Sequence, residues 1–293
     1  MRPVFLGTSE FAAAVLERLA ASPHRPVLVL TRPDRPRGRG RRVSPPPVAE
    51  TARERGIDLY QPQSVNDEAA RERIAAAHPD IVCVCAFGAL IKEPLLSEYE
   101  MLNVHPSLLP RWRGAAPIER AIMAGDTETG VSIMRLTAGL DSGPVCLQAA
   151  EPIGPSDTYG TLSARLERIG GELLVRTLEE QPAFAPQDET GVTYAEKLGP
   201  EDRRLDPSRP AAELERVVRA LTPHVGAYVE LSDGGRLGVK EAAVIDAGPP
   251  AGALSLDGER PVLGCAVGAL ELVAVQPPGR RAMPGEDYLR GLR

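Results

Sequence analysis

Asp80-Ile-Val-Cys-Val-Cys-Ala-Phe87 decides the fold. The run from Ile81 to Phe87 is apolar throughout, with no polar residue at alternate positions. A strand with one wet face would alternate, so this one reads as covered on both faces, the situation of a parallel sheet sandwiched between helices. Upstream, Arg2 to Leu6 reads as a strand and Gly7-Thr-Ser9 as a turn, with Ser9 as the N-cap of a helix from Glu10 to Ala21 that carries Val15, Leu16 and Leu19. Pro26 to Thr31 is a second strand, Val48 to Arg55 a helix closed by Gly56, Ile57 to Tyr60 a short strand, and Asp67 to Ala77 a helix. Downstream, Leu102 to His105 is the next strand. This alternation predicts an α/β fold with a doubly wound, mostly parallel sheet and ligands at the carboxyl ends of its strands.

A helical pattern through Leu162, Leu166, Ile169, Leu173 and Val175 runs from Thr158 to Glu180. The stretch from Gln181 to Pro210 mixes Pro, Asp, Glu and Gly with few apolar residues and reads as a linker. From Ala211 the character changes to one helix, ending at Leu221, and then short β-like runs: Ala227 to Leu231, Arg236 to Val239, Ala242 to Ile245, Val262 to Cys265 and Leu270 to Val275. Short strands separated by glycine turns predict a small β-barrel. The expected organisation is a domain over 1–180, a linker over 181–209 and a small β domain over 210–293.

The 293 residues, 43% hydrophobic and 25% charged, have the balance of a globular enzyme, with chain enough for a sizeable core. The amino terminus opens as Met1-Arg-Pro-Val-Phe-Leu-Gly7, without the apolar core of a signal peptide, and no apolar run reaches the roughly 18 residues of a membrane span. A cytoplasmic protein with no membrane partner is expected, and a monomer. Cys83 and Cys85 lie inside the apolar strand; no second cysteine pair or nearby histidine completes a metal site, so they are expected to be buried thiols and no metal is expected.

A net charge of -6 excludes a protein that coats nucleic acid indiscriminately. One local exception stands out. Between Arg32 and Arg42 there are six arginines, at 32, 35, 37, 39, 41 and 42, against the single acid Asp34, interspersed with Pro33, Pro36, Gly38 and Gly40. That composition predicts a loop. A charge run is commonly only a solvated turn. Here every cation is arginine, whose planar fork suits phosphate oxygens and stacks on exposed bases, which fits an RNA end better than a small metabolite.

Asn103 and His105, one residue apart on the strand ending at His105, share a face and leave together at its carboxyl end. Asp141 follows in Gly139-Leu-Asp-Ser-Gly143. Taken singly, an asparagine before a proline-rich turn supports backbone, a histidine at a strand end is structural, and an aspartate between glycines forms a turn. The Gly7-Thr-Ser-Glu10 turn lacks the second and third glycines of a dinucleotide fingerprint, so no nicotinamide cofactor is expected.

The segment Asn103-Val-His-Pro-Ser-Leu-Leu-Pro110 resembles folate-dependent formyltransferases as a class. The arginine loop from Arg32 to Arg42, Thr193-Tyr-Ala-Glu-Lys-Leu198 and Gln276-Pro-Pro-Gly-Arg-Arg-Ala-Met283 narrow the resemblance to the methionyl-tRNA formyltransferase family, over nearly the whole chain. Asp206-Pro207 departs from that family's usual linker ending, in which an aromatic residue follows the aspartate.

The resemblance implies a formyltransferase-type Rossmann-like domain with an OB-like β-barrel after it. It also implies transfer of a formyl group from 10-formyltetrahydrofolate to the α-amino group of initiator methionyl-tRNA, supporting translation initiation. In that chemistry His105 moves protons, since a histidine's ordinary pKa lies near 6.5. Asn103 donates to the developing oxyanion. Asp141 either orients and stabilises the imidazolium or holds a water that relays the proton.

The resemblance further implies that Ser107, Leu108, Leu109 and Pro110 bind the folate, with Phe87, Gly88 and Leu90 in the wall around its pterin. It puts Arg39 against the tRNA acceptor end, with Arg37, Arg41 and Arg42 as supporting cations. Three other readings use part of these features: a formyltransferase acting on a small amine, a 10-formyltetrahydrofolate hydrolase, and a non-catalytic RNA-binding protein. The first leaves the arginine loop and the barrel unused; in the second, water replaces the amine and formate is released; the third leaves Asn103, His105 and Asp141 unused.

Overall fold

In a computed structural model that describes residues 1–37 and 42–292, the chain forms two compact units, each assembled from three stretches of sequence. The first unit comprises 1–114, 129–151 and 163–194; the second comprises 115–128, 152–162 and 195 onward. Through residue 180 the order is β1 (Pro3–Gly7), α1 (Glu10–Ala20), β2 (Leu28–Leu30), β3 (Arg35–Arg37), β4 (Arg42–Ser44), α2 (Pro47–Glu54), β5 (Leu59–Tyr60), α3 (Glu68–Ala76), β6 (Ile81–Cys85), α4 (Leu95–Glu98), β7 (Met101–His105), β8 (Arg113–Gly114), α5 (Pro117–Ala124), β9 (Glu128–Arg135), β10 (Val145–Pro152) and α6 (Tyr159–Glu180).

Seven of these strands form the central sheet, in the order β10-β9-β7-β6-β1-β2-β5. Pairing is parallel from β7 through β5 and antiparallel between β7 and β9. Every residue of β6 is buried, as its unbroken apolar run requires, and Cys83 and Cys85 are free thiols within it. Val4, Leu6, Leu28, Leu30, Val82 and Val84 form the core on one face. On the other, α6 approaches closely through glycine: a methyl on Gly170 would stand 2.9 Å from Val104 Cγ1.

The chain proceeds from β1 outward to β2 and β5, then returns to β6 on the opposite side of β1. The strand order therefore reverses between β1 and β6, and at such a point the carboxyl ends splay apart into a crevice. The turn after β1 is set by two residues. A Cβ on Gly7 would lie 2.7 Å from the Phe5 ring and 3.0 Å from the Cys85 carbonyl, so only glycine fits. Ser9 caps α1 as expected, its Oγ accepting from Ala12 N at 3.2 Å.

The arginine-rich stretch departs from the expected loop. Arg35–Arg37 and Arg42–Ser44 pair as an antiparallel ribbon in the register Arg35↔Ser44, Pro36↔Val43 and Arg37↔Arg42. A two-stranded ribbon consists only of edges, where a proline without an N–H is tolerated, so Pro36 does not prevent pairing. Arg39 and Arg41 lie outside the described residues.

The second unit continues with β11 (Tyr194–Ala195), a 3-10 turn (Glu201–Arg203), α7 (Ala211–Leu221), β12 (Ala227–Glu230), β13 (Arg236–Ile245), β14 (Leu254–Ser255), β15 (Val262–Gly264), β16 (Ala269–Gln276), β17 (Met283–Pro284) and α8 (Gly285–Arg290). Strands β12 to β17 form a curled antiparallel sheet, half of a barrel, in the order β12-β13-β16-β15-β14 with β17 alongside β16. The two short runs expected at Arg236 to Val239 and Ala242 to Ile245 are one strand. Its register with β16 shifts twice between Val239 and Ala242, a bulge that bends the strand without ending it.

Leu214, Val217, Val218 and Leu221 of α7 pack on Leu237, Val239, Leu270, Leu272 and Val275 of the sheet. Helix α5 packs on α7 and is pinned within the same unit. Glu119 meets His224 at 2.9 Å, Arg120 grips Asp202 at 2.6 and 3.0 Å, and Arg216 Nε donates to the Met123 carbonyl at 3.1 Å. No helix among the described residues is long and apolar enough to cross a membrane.

Candidate active site

Strand β7 carries Asn103 opposite Met134 and His105 opposite Ser132 of β9, and Asn103 stands beside Val84 of β6. Asp141 enters from the connection between β9 and β10, in a left-handed backbone conformation (φ 44°) that aspartate tolerates better than most residues. The three polar groups meet. Asp141 Oδ2 lies 3.7 Å from His105 Nδ1, and its Oδ1 lies 3.5 Å from Asn103 Nδ2. Asp141 Oδ2 also accepts from Gly114 N at 2.9 Å, which fixes the carboxylate.

His105 is 3% exposed, and its second nitrogen is committed: Nε2 lies 2.9 Å from the Trp112 carbonyl oxygen. A carbonyl only accepts, so the neutral ring carries its proton on Nε2 and turns the Nδ1 lone pair toward Asp141. Nδ1 is therefore the basic atom of this site. At 3.7 Å the carboxylate is too far for a hydrogen bond and close enough to stabilise an imidazolium.

The Ser107–Pro110 bend is shaped from beneath by Ser132. Its Oγ donates to the Ser107 carbonyl at 2.6 Å and accepts from Leu109 N at 3.1 Å and from Gln148 Nε2 at 2.8 Å. Gln148 Nε2 also donates to the Leu109 carbonyl at 2.9 Å. Ser107 and Leu109 are buried, Leu108 is half-buried, and the Leu109–Pro110 peptide is cis. Gly130 of β9 leaves room for Leu108: a Cβ there would meet Leu108 Cδ2 at 2.6 Å and the Ala149 carbonyl at 2.2 Å.

Phe87 and Gly88 lie at the end of β6 and line a cavity of about 320 Å³ with Thr8, Arg32, Arg35 and Ser44, at the carboxyl ends of β1, β2 and β6. Thr8 Oγ1 donates to the Phe87 carbonyl at 2.7 Å and Arg32 Nη1 to the Gly88 carbonyl at 2.5 Å, which ties the loop after β6 to the ends of β1 and β2. Arg32 Nε is buried and has no hydrogen-bond partner among the described residues. Leu90 is 69% exposed and is not among the cavity's lining residues.

Several contributors escape a reading of the sequence. Trp112 (φ 64°) acts through its carbonyl, Gly114 through its N–H, and Ser132 and Gln148 from strands that periodicity does not assign. Gln187 Nε2 donates to the carbonyls of Asp141 at 2.8 Å and Gly143 at 2.7 Å, from a stretch whose composition reads as linker. Backbone groups have no residue-type signature, and Gln187 is 46 positions from Asp141, so no local pattern pairs them.

The formyl transferase family model matches residues 1–178, and the model of the formyl transferase C-terminal domain matches residues 197–293. The methionyl-tRNA formyltransferase of Halorhodospira halophila is 45% identical over 100% of this chain and 96% of its own length. That of Methylococcus capsulatus is 43% identical over 99% of this chain and 96% of its own. The structure of HypX from Aquifex aeolicus in complex with tetrahydrofolic acid superimposes with a TM-score of 0.64 at 18% identity; it covers 99% of this chain, which spans 47% of the length of HypX, and shares the fold. With both of its halves matched and relatives above 40% identity over its full length, the chain belongs to the methionyl-tRNA formyltransferase family.

Proposed function

We propose that this protein transfers the formyl group of 10-formyltetrahydrofolate to the α-amino group of methionine esterified to initiator tRNA. The observation that carries the reading is the convergence of His105 Nδ1, Asn103 Nδ2 and the Asp141 carboxylate at one strand end, with Nε2 of the histidine already occupied. When bound, 10-formyltetrahydrofolate supplies the formyl carbon and a nitrogen that departs from it. His105 Nδ1 takes the proton that the methionyl amine loses on attack. Asn103 Nδ2 donates to the formyl oxygen as negative charge develops there. The Asp141 carboxylate stabilises the imidazolium so formed, after which the same nitrogen returns the proton to the departing amine.

The residues present fit a folate. Phe87 and Gly88 wall the cavity at the strand ends, and Arg32 Nε offers a donor without another partner among the described residues. Ser107, Leu108, Leu109 and Pro110 supply the bend beside the reacting groups, and Leu90, in the same loop as Gly88, is assigned to the folate with them. Arg37, Arg39, Arg41 and Arg42 are assigned to the tRNA acceptor end, and residues 210–293 to assisting in holding the tRNA. Residues 1–180 are assigned the catalytic role.

The test is incubation with 10-formyltetrahydrofolate and methionyl initiator tRNA, following formyl-methionine on the tRNA. Formylation that saturates in tRNA and weakens with salt supports the reading, since phosphate contacts release counterions. Free formate without formyl-methionine, or modification of a small amine in preference to the tRNA, overturns it.

A further inference from the structure

We infer that Gln187 and Thr193, in the strap of chain following α6, are positioning residues for the reaction: Gln187 holds the Asp141 loop, and Thr193 holds the Trp112 carbonyl that fixes the proton on His105. The inference rests on the formyl-transfer reading.

The Gln187 amide is fully used. Its Nε2 spends both hydrogens on the carbonyls of Asp141 and Gly143, while its Oε1 accepts from Arg113 Nε at 3.0 Å and Nη2 at 2.8 Å. The opposite amide orientation would set oxygen against two carbonyls and NH2 against a guanidinium, so the assignment is forced by chemistry. Arg113 is 4% exposed, and its Nη2 also reaches Glu189 at 3.2 Å. A left-handed aspartate is a sparsely populated conformation in an L-residue chain and persists when its surroundings over-determine it. Gln187 and Gly114 N supply that, one from the backbone side and one from the carboxylate side.

Thr193 acts on the opposite flank. Its Oγ1 accepts from Trp112 N at 2.9 Å and its carbonyl accepts from Arg113 N at 2.9 Å, so two consecutive amides are clipped to one residue. With its amide so held at φ 64°, Trp112 points its carbonyl at His105 Nε2. That carbonyl belongs to the Trp112–Arg113 peptide, held by the Thr193 carbonyl, while Thr193 Oγ1 holds the peptide before it; loosening either lets Trp112 rotate, releases Nε2 and lets the proton move to Nδ1, which removes the lone pair that serves as base. Seven residues of strap therefore govern both partners of the imidazole, the carboxylate at Nδ1 and the carbonyl at Nε2.

Three variants separate positioning from mere support. Gln187→Glu has the same shape and keeps an acceptor for Arg113 but presents no donor to the two carbonyls; kcat should fall roughly 10- to 100-fold, the scale typical of orienting contacts, with KM for both substrates within about threefold. Thr193→Val removes the acceptor for Trp112 N and should lower kcat by a similar factor, whereas Thr193→Ser should restore it.

The second readout needs no turnover. The chain has four histidines, so 15N-histidine spectra, with His105 identified by its loss in His105→Asn, report the tautomer directly. The native and Thr193→Ser proteins should show the Nε2–H form, and Thr193→Val a mixture. Overturning results are kcat within twofold of native for both Gln187→Glu and Thr193→Val, a loss carried entirely by KM, or an unchanged tautomer in Thr193→Val. Absence of formylation by the native protein would defeat the parent reading and leave the tautomer measurement standing as a separate test.

Discussion

Replacing Asp141 with asparagine removes one negative charge and the weak acceptor that faces Asn103 Nδ2 at 3.5 Å. An asparagine oxygen can still accept from Gly114 N, as Asp141 Oδ2 does at 2.9 Å, and the loop keeps its Gln187 contacts through the backbone. The larger loss is the attraction between the carboxylate and an imidazolium at Nδ1, 3.7 Å away, between side chains only 14% and 4% exposed. At an effective dielectric constant of about 20, that separation is worth about 4.5 kcal/mol, or roughly 2,000-fold in rate if the full charge develops in the transition state. Single-turnover formylation of methionyl-tRNA at saturating folate should therefore slow by roughly three orders of magnitude in Asp141→Asn. Because the charge acts through the histidine, the same substitution made in a His105→Ala background should cost less than about tenfold. A loss below tenfold in the single variant, or equal losses in both backgrounds, would refute this account of Asp141.

Other outcomes follow from the same geometry and from burial. Asn103→Ala should lower kcat by roughly 10²- to 10³-fold, as loss of an oxyanion donor does, while folate binding measured by fluorescence quenching stays within a few-fold of native. Gly143→Ala would place a methyl 1.9 Å from the Arg135 carbonyl and should cost about 1–3 kcal/mol, seen as a lowered calorimetric melting temperature. Burial pushes the Cys83 thiol up to about 12, above its value of about 8.5 in an unfolded chain. The folded state thus holds that proton more tightly, and stability present below pH 8.5 should fall between there and pH 12 by up to about 1.4 kcal/mol per pH unit. Urea unfolding at pH 8 and pH 10 measures this, and Cys83→Ala should show a shallower decline.

The parts of this molecule legible in its sequence are those in which one side chain's chemistry is needed in one local context. The apolar run through Cys83 demands cover on both faces, Ser9 demands an amide to cap, and the two-residue spacing of Asn103 and His105 sends both to one strand end. Helix α7 spans Ala211–Leu221, the bounds its pattern predicts. The rest depends on closure in three dimensions. Pro36 and the glycines around it suggest a loop, yet a ribbon with two free edges accepts them. Trp112 contributes a carbonyl that any residue possesses. Gln187 and Thr193 reach residues 46 and 81 positions away, and a polar residue in a Pro- and Asp-rich stretch carries no mark of what it will touch.

Helix α5 belongs to the second unit although it is encoded in the first half of the chain, between the bend at Ser107–Pro110 and the Asp141 loop. Its Glu119 meets His224, its Arg120 grips Asp202, and its Met123 packs against the core of α7 and the curled sheet, all of them residues beyond 195. The carboxyl-terminal half is therefore not a detachable module that a gene could gain or lose at one junction. A deletion that ended the chain near Glu180 would leave Glu119, Arg120 and Met123 without His224, Asp202 and the core they pack on, and recombination at that point would have to supply replacement partners in the same step.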